Sequence, residues 1–181
     1  MESDPANVNN TSFETYFEEK RTLFLKDVDI FKTPIEIFYS RRIGESDWST
    51  VIVDTIKCSS CEIIDTTYDY VTIPYKIKTA GKWTGKTIKG LSYGLLGAVT
   101  SPTLPDRDST YYPDNNDWDN QMGKMKNKNY LVGRIKQDLF AGNSYIGFMS
   151  TSLMENSSHT MSVDGMAKFF DNQIGLNGQI L

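Results

Sequence analysis

The chain has 181 residues, 19 of them basic and 23 acidic, for a formal net charge of −4. That is long enough for one domain with a sizeable core. No Lys/Arg-rich run exists to track phosphates, so nucleic acid is not an expected partner. Hydrophobic residues make up 39% and aromatics 12%, which is thin in aliphatics for a packed soluble domain but suits a wall that alternates lipid-facing and polar positions.

No apolar run is long enough for a transmembrane helix, and the opening MESDPANVNN has neither the basic start nor the apolar stretch of a secretory signal. The segment 1–44 carries the densest ionic cluster, Glu18, Glu19, Lys20 and Arg21, followed by Arg41 and Arg42 after Tyr39. Guanidinium groups pointing into a lumen would bind an anionic sugar or steer solutes. The plainer alternative is a structural ion-pair network between this segment and an inner wall.

Residues 45–74 hold the two cysteines, Cys58 and Cys61, as a single CxxC. A tetrahedral zinc site needs four ligands, and the sole histidine, His159, is about a hundred residues away. A redox CxxC normally opens a helix, whereas 56–64 reads as β or loop. A local disulfide or two free thiols is the expectation, with no metal and no cofactor.

From residue 75 the character alternates with period two in runs of about ten, as expected of tilted membrane strands. Along 88–99, Leu91, Tyr93, Leu95 and Val99 share one face, and Gly90, Ser92 and Gly94 the other. Along 129–139, Leu131, Ile135 and Leu139 oppose Arg134, Lys136 and Asp138, with Val132 as the exception. Strands 144–153 and 160–170 follow, the latter setting Met161, Val163, Ala167 and Phe169 against Ser162, Asp164 and Lys168. The last, 173–181, sets Ile174, Leu176 and Ile180 against Gln173, Asn177 and Gln179.

The connections alternate in length. Tight turns are expected at Gly85-Lys86-Thr87, Ala141-Gly142-Asn143 and Asp171-Asn172, with a long polar loop at about 100–128 and a medium one around 155–159. Every tight turn then falls at one end, as in barrels with short periplasmic turns. Trp83, Phe140, Phe169 and Phe170 sit beside those turns, where an interfacial girdle would lie. An antiparallel soluble sheet with core aromatics has the same spacing and remains the alternative.

In the long loop, Asp114, Asn115, Asn116, Asp117, Asp119 and Asn120 surround Trp118. Without a glycine at the sharp turn they do not make an EF-hand. Tyr111, Tyr112 and Trp118 are candidate sugar-stacking rings. A Ser-His-Asp arrangement finds no support in His159, no acid pair can be nominated for glycoside hydrolysis, and Gly81, Gly85 and Gly90 read as strand and turn glycines rather than a phosphate loop. No enzyme active site is expected.

Three segments carry a family likeness: FETYFEEKRTLFLKDVDIF (13–31), IEIFYSRRIG (35–44), and the run from WTGKT (83–87) through GLSYGLLGAVTSP to NYLVGRIKQDLFAGNSYIGFMSTS (129–152). Together they resemble the outer-membrane barrel proteins called domain of unknown function 5916, many of which carry an upstream carbohydrate-binding module similar to family 9. The likeness implies an all-β antiparallel meander, a partial outer-membrane-type barrel that is an open sheet in isolation, with an irregular N-terminal segment. It divides the chain into 1–44, an insertion at 45–74, and barrel strands over 75–181. It also implies an outer-membrane location, lipid as partner of the intact parent, and carbohydrate as a candidate ligand. By residue type, Arg21, Arg41, Arg42 and Trp118 are the candidate ligand or lumen contacts. By that pattern the chain resembles a piece truncated at both ends, which should not insert alone because open edges leave backbone groups unpaired in lipid. The competing reading is a soluble β-rich carbohydrate-binding module.

Overall fold

The computed structural model describes residues 18–57, 63–103, 123–155, 157–170 and 173–181. Eight strands are described: β1 (Asp47–Lys57), β2 (Ile63–Ile73), β3 (Tyr75–Lys86), β4 (Leu91–Pro102), β5 (Lys128–Leu139), β6 (Ser144–Leu153), β7 (Ser158–Phe169) and β8 (Ile174–Ile180). β3 to β8 form one antiparallel sheet in sequence order, and β1 pairs only with β2. The protein is therefore an all-β antiparallel meander, open at its β3 and β8 edges. Residues 45–74, expected as an insertion, contain the β1–β2 hairpin, which leaves the sheet at Pro74. Its base is tied back where Lys128 Nζ meets Asp47 Oδ2 at 3.0 Å.

The expected strands over 129–139 and 144–153 coincide with β5 and β6 to within a residue. The first tight turn is a correction: it falls at residues 87–90 rather than 85–87. Gly85 stays inside β3 opposite Tyr93, whose ring lies so close that a Cβ on Gly85 would stand 2.3 Å from the phenol oxygen. The turn belongs to Gly90, which takes φ +81°, a backbone that favours glycine. Its N–H donates to Thr87 O at 3.0 Å, while Leu91 N–H donates to Thr87 Oγ1 at 3.1 Å. β4 is correspondingly displaced and runs to Pro102, and β5 begins at Lys128; most of the loop expected at about 100–128, residues 104–122, lies outside the described residues.

Alternation sorts the side chains as the sequence pattern predicts. Leu91, Leu95, Leu131, Ile135, Ile174 and Leu176 lie on one face of the sheet, and Arg134, Lys136, Asp164 and Asn177 on the other. The second face is not simply wet. Residues 18–45 run across it as a strap of short helical turns, at Thr22–Leu25, Val28–Phe31 and Ser40–Arg42. Phe24, Phe31 and Ile43 from the strap pack on Leu96, Ala98, Val132 and Met149 to form the core. Val132, the exception to alternation in β5, is apolar because it lies under this strap.

The strap is fastened to several strands. Lys82 Nζ on β3 donates to the carbonyls of Phe24, at 3.2 Å, and Lys26. Thr84 Oγ1 donates to Asp27 Oδ2 at 3.0 Å. Ile30 and Phe31 fill the space beside Gly94 on β4, Tyr130 on β5 donates to Arg42 O at 3.3 Å, and Ile35 N–H donates to Gln179 Oε1 on β8 at 2.6 Å. Four residue steps from Phe31 to Ile35 extend at most about 14 Å, whereas four strand spacings from β4 to β8 come to about 19 Å along the sheet. The strap is thus a chord, and the sheet curves round it.

Candidate functional site

The face away from the strap, the convex face, is the most distinctive surface of the molecule. Its inter-strand registers set Tyr93, Ile135, Phe148, Val163 and Ile180 directly opposite one another on five neighbouring strands. The adjacent row holds Trp83, Leu95, Gly133, Ser150 and Met161. From residue 79 onward, none of the convex positions of the described strands carries Lys, Arg, Asp or Glu. The charged residues of those strands, among them Lys82, Lys86, Arg134, Lys136, Asp138, Asp164 and Lys168, occupy the concave side. Yet Leu95, Ile135, Phe148, Met161, Val163, Leu176 and Ile180 are all exposed. Exposed large apolar side chains on five neighbouring strands thus form one patch, the kind of surface that marks a contact with a partner, a ligand or a membrane.

Within this face is a depression of about 420 Å³ lined by Trp83, Tyr93, Leu95, Ile135 and Phe148. It exists because Gly133 has no side chain there and nothing stands within 4 Å of where one would begin. Trp83 and Tyr93 meet edge to face, 5.2 Å between centroids, at its rim.

The short-turn end adds a second feature. Each of its three turns presents one large apolar side chain: Ile88, Phe140 at 79% exposure and Phe170 at 73%. Phe140 and Phe170 hold the left-handed backbone, φ 49° and 52°, at equivalent places, each accepting a hydrogen bond from the residue three further on, Asn143 and Gln173. A non-glycine residue there costs roughly 1–2 kcal/mol, so two turns carry the same strain to keep a phenylalanine at the tip.

On the concave side, Arg134 is bonded to Asp164 through both guanidinium nitrogens, one contact at 2.8 Å, with both residues almost wholly buried. The strap has its own ionic pin. Arg21 stacks on Phe24, 4.4 Å to the ring centroid, and donates to Ile43 O at 2.7 Å and Ser40 O at 2.8 Å. It also chelates Glu19 at 2.7 and 2.8 Å. Burial by itself would push the Glu19 carboxyl up; the bonds from Arg21, the Ser40 hydroxyl and the Arg21 N–H outweigh it and hold the pKa at about 2.

The model of the family described as Domain of unknown function (DUF5916) matches residues 1–173. The chain belongs to this family. No curated protein and no solved structure matches it. The family match spans the strap and the sheet from β3 to β7, so the two are parts of one family unit.

Of the residues singled out from sequence in this family member, Arg21 closes the strap on itself through Glu19, Ser40 and Ile43. Arg42 lends its carbonyl to Tyr130, and Arg41 lies beside it in the same Ser40–Arg42 turn. Trp118, the acidic loop around it, Tyr111 and Tyr112, and Cys58 and Cys61 lie outside the described residues. His159, exposed, meets Ser152 at 2.8 Å across β6 and β7. Among the described residues no group of three or more His, Cys, Asp or Glu is placed to hold a metal. Sequence reasoning missed Phe24, Phe31 and Ile43 as core, and Gly147 as the opening through which Arg134 reaches Asp164. The signal for the first was available in the apolar residues Leu96, Val132 and Met149 on an otherwise polar face.

Proposed function

We propose that this protein is a wall of an outer-membrane β-barrel, with its convex face against lipid and its concave face toward the barrel interior. The parent assembly would bind or move extracellular material such as glycan. The observation that carries this reading is the separation of charge: the Lys, Arg, Asp and Glu residues of the strands from residue 79 onward lie on the concave side and none on the exposed apolar convex side, where His159, at the loop end, is the one titratable nitrogen. A bilayer offers no partner for an ionised group, whereas water or a polar interior does. The left-handed phenylalanines support it, since an aromatic ring at the end of a spanning strand sits at the headgroup boundary. That no described helix is long and apolar enough to cross a membrane is irrelevant to a barrel, which crosses with strands. No catalytic role is proposed.

The test uses Trp83 as a reporter in the intact parent, with Trp48→Phe, Trp118→Phe and any further tryptophan replaced by Phe. After refolding with phosphatidylcholine vesicles, lipids brominated along the acyl chain should quench Trp83, and aqueous iodide should not. A chain that is folded and monomeric without detergent, with Trp83 quenched by iodide alone, would refute the reading. It would favour a soluble carbohydrate-binding module, for which the aromatic-rimmed depression at Trp83 and Tyr93 is the supporting observation.

A further inference from the structure

The geometry points to residues 32–36 as a flap that closes the barrel interior over β7 and β8 and opens at its β8 end. This rests on reading the concave side as the interior. On either side the strap is anchored by buried residues, Phe31 before the flap and Ser40 and Ile43 after it. Between them, Lys32, Pro34, Ile35 and Glu36 are exposed. The link that ties this stretch to β8 is the Ile35 N–H bond to the Gln179 side chain, whereas the β3 side is held by Lys82, Thr84 and the buried Phe24 and Phe31 together. A segment with firm ends and, among the described residues, one side-chain tether to the wall in its middle is the part that opens first.

What lies on the wall here favours opening. The Ser162 hydroxyl, the Gln179 amide nitrogen and Arg134 Nε are buried without a hydrogen-bond partner. Ser162 stands beside Met149 and Arg134 in one cross-strand row, and Gln179 faces Asp164 in the next. Buried polar groups left unmade raise the free energy of the closed form. Lifting the flap hydrates them and recovers part of that loss, so the closed state is only modestly preferred. Opening would present hydrogen-bonding groups to an oxygen-rich solute in the interior.

The experiment measures access to Ser162 in the full chain in detergent micelles, with Cys58→Ser and Cys61→Ser. A water-soluble maleimide should label Ser162→Cys on the order of a hundredfold more slowly than Thr33→Cys on the flap itself, as expected for a site reached through local opening. Adding Gln179→Ala should speed Ser162→Cys labelling by about fivefold, the size of one net hydrogen bond, while Lys82→Met at the other anchor leaves it unchanged. Amide hydrogen exchange without the added cysteine gives a second readout: Gln179→Ala should accelerate residues 32–38 and spare Lys26 and Ile43. Equal labelling of Ser162→Cys and Thr33→Cys, no response to Gln179→Ala, or the same response to Lys82→Met would each overturn the flap. Since these measurements are made in micelles and concern the concave side, their failure is distinct from a failure of Trp83 to meet lipid.

Discussion

Arg134 on β5 reaches Asp164 on β7 by passing over Gly147 on β6, where a methyl group would stand 2.6–2.8 Å from the guanidinium. Two strands that are not neighbours are thereby joined through a gap left by the one between them. Gly147→Ala should destabilise the protein by about 1–3 kcal/mol through overpacking. Asp164→Asn, which leaves a buried guanidinium without its counter-charge, should cost about 3–5 kcal/mol, whereas Arg134→Met combined with Asp164→Leu should cost much less than the two single changes summed. Urea unfolding in micelles measures all three; additive losses would mean that the pair is not coupled.

Glu19 sets an acid limit on the strap. Its pKa falls from 4.5 to about 2 on folding, so the unfolded chain binds the proton more tightly and stability is lost as pH drops. The contribution is complete above about 4.5 and disappears as pH falls toward 2. With part of the pin exposed to solvent, roughly 1–3 kcal/mol is expected. Glu19→Gln should flatten the stability profile between those limits and leave it parallel to the parent above pH 6; unfolding midpoints measured along the pH series would show it.

Sidedness can be read with single arginines. In the intact parent, Ile135→Arg and Leu176→Arg place charge on the convex face and should lower bilayer assembly by roughly 2–4 kcal/mol near the midplane, while Asn177→Arg, exposed on the concave side, should cost little. Ser92 is not a fair control, because it is buried beneath the strap side of β4. Gln137 is a polar residue on the convex face, opposite Leu91 near the short turns, so Gln137→Arg should fall between. Heat-modifiable gel mobility scores the assembly, and equal tolerance at Ile135 and Asn177 would sink the lipid assignment.

The strained turns make opposite predictions for stability and for membrane affinity. Phe140→Gly and Phe170→Gly relieve a left-handed backbone worth roughly 1–2 kcal/mol each, so both should raise or preserve the unfolding midpoint in micelles. In vesicles both should weaken binding, because an interfacial ring is removed. A loss in micelles and vesicles alike would make these rings packing elements rather than anchors.

The strands of the six-stranded sheet were legible in the sequence because period-two alternation is a local signal that survives without knowledge of partners; the β1–β2 hairpin was not, residues 45–74 being read as an insertion. Leu131 and Ile135 against Arg134 and Lys136 fixed the faces of β5, and the short turns followed from the lengths between runs. The strap was not legible, because its residues show no period. Phe24, Phe31 and Ile43 are spaced irregularly and acquire meaning only when set against Leu96, Val132 and Met149, which lie far along the chain. The first turn was misplaced for a related reason: Gly85 looks like a turn residue until Tyr93 is seen to need its empty space. Arg21 drew notice as a charge, but its role comes from the Ile43 and Ser40 carbonyls, and backbone acceptors leave no mark in a sequence.

The strap also sets an order of events in folding. Each strand of the sheet pairs with its immediate neighbour in sequence, so the sheet can zip up hairpin by hairpin with little loop entropy to overcome at any step. Ile35 and Gln179 are 144 residues apart, so this contact closes a loop as long as most of the protein and waits for the last strand. The first described segment to leave the ribosome therefore completes its docking only when the last strand arrives. Until β4, β5 and β6 have paired, Phe24, Phe31 and Ile43 on the strap, and Leu96, Val132 and Met149 on the wall, are uncovered together, and this is the interval in which the chain most needs a chaperone.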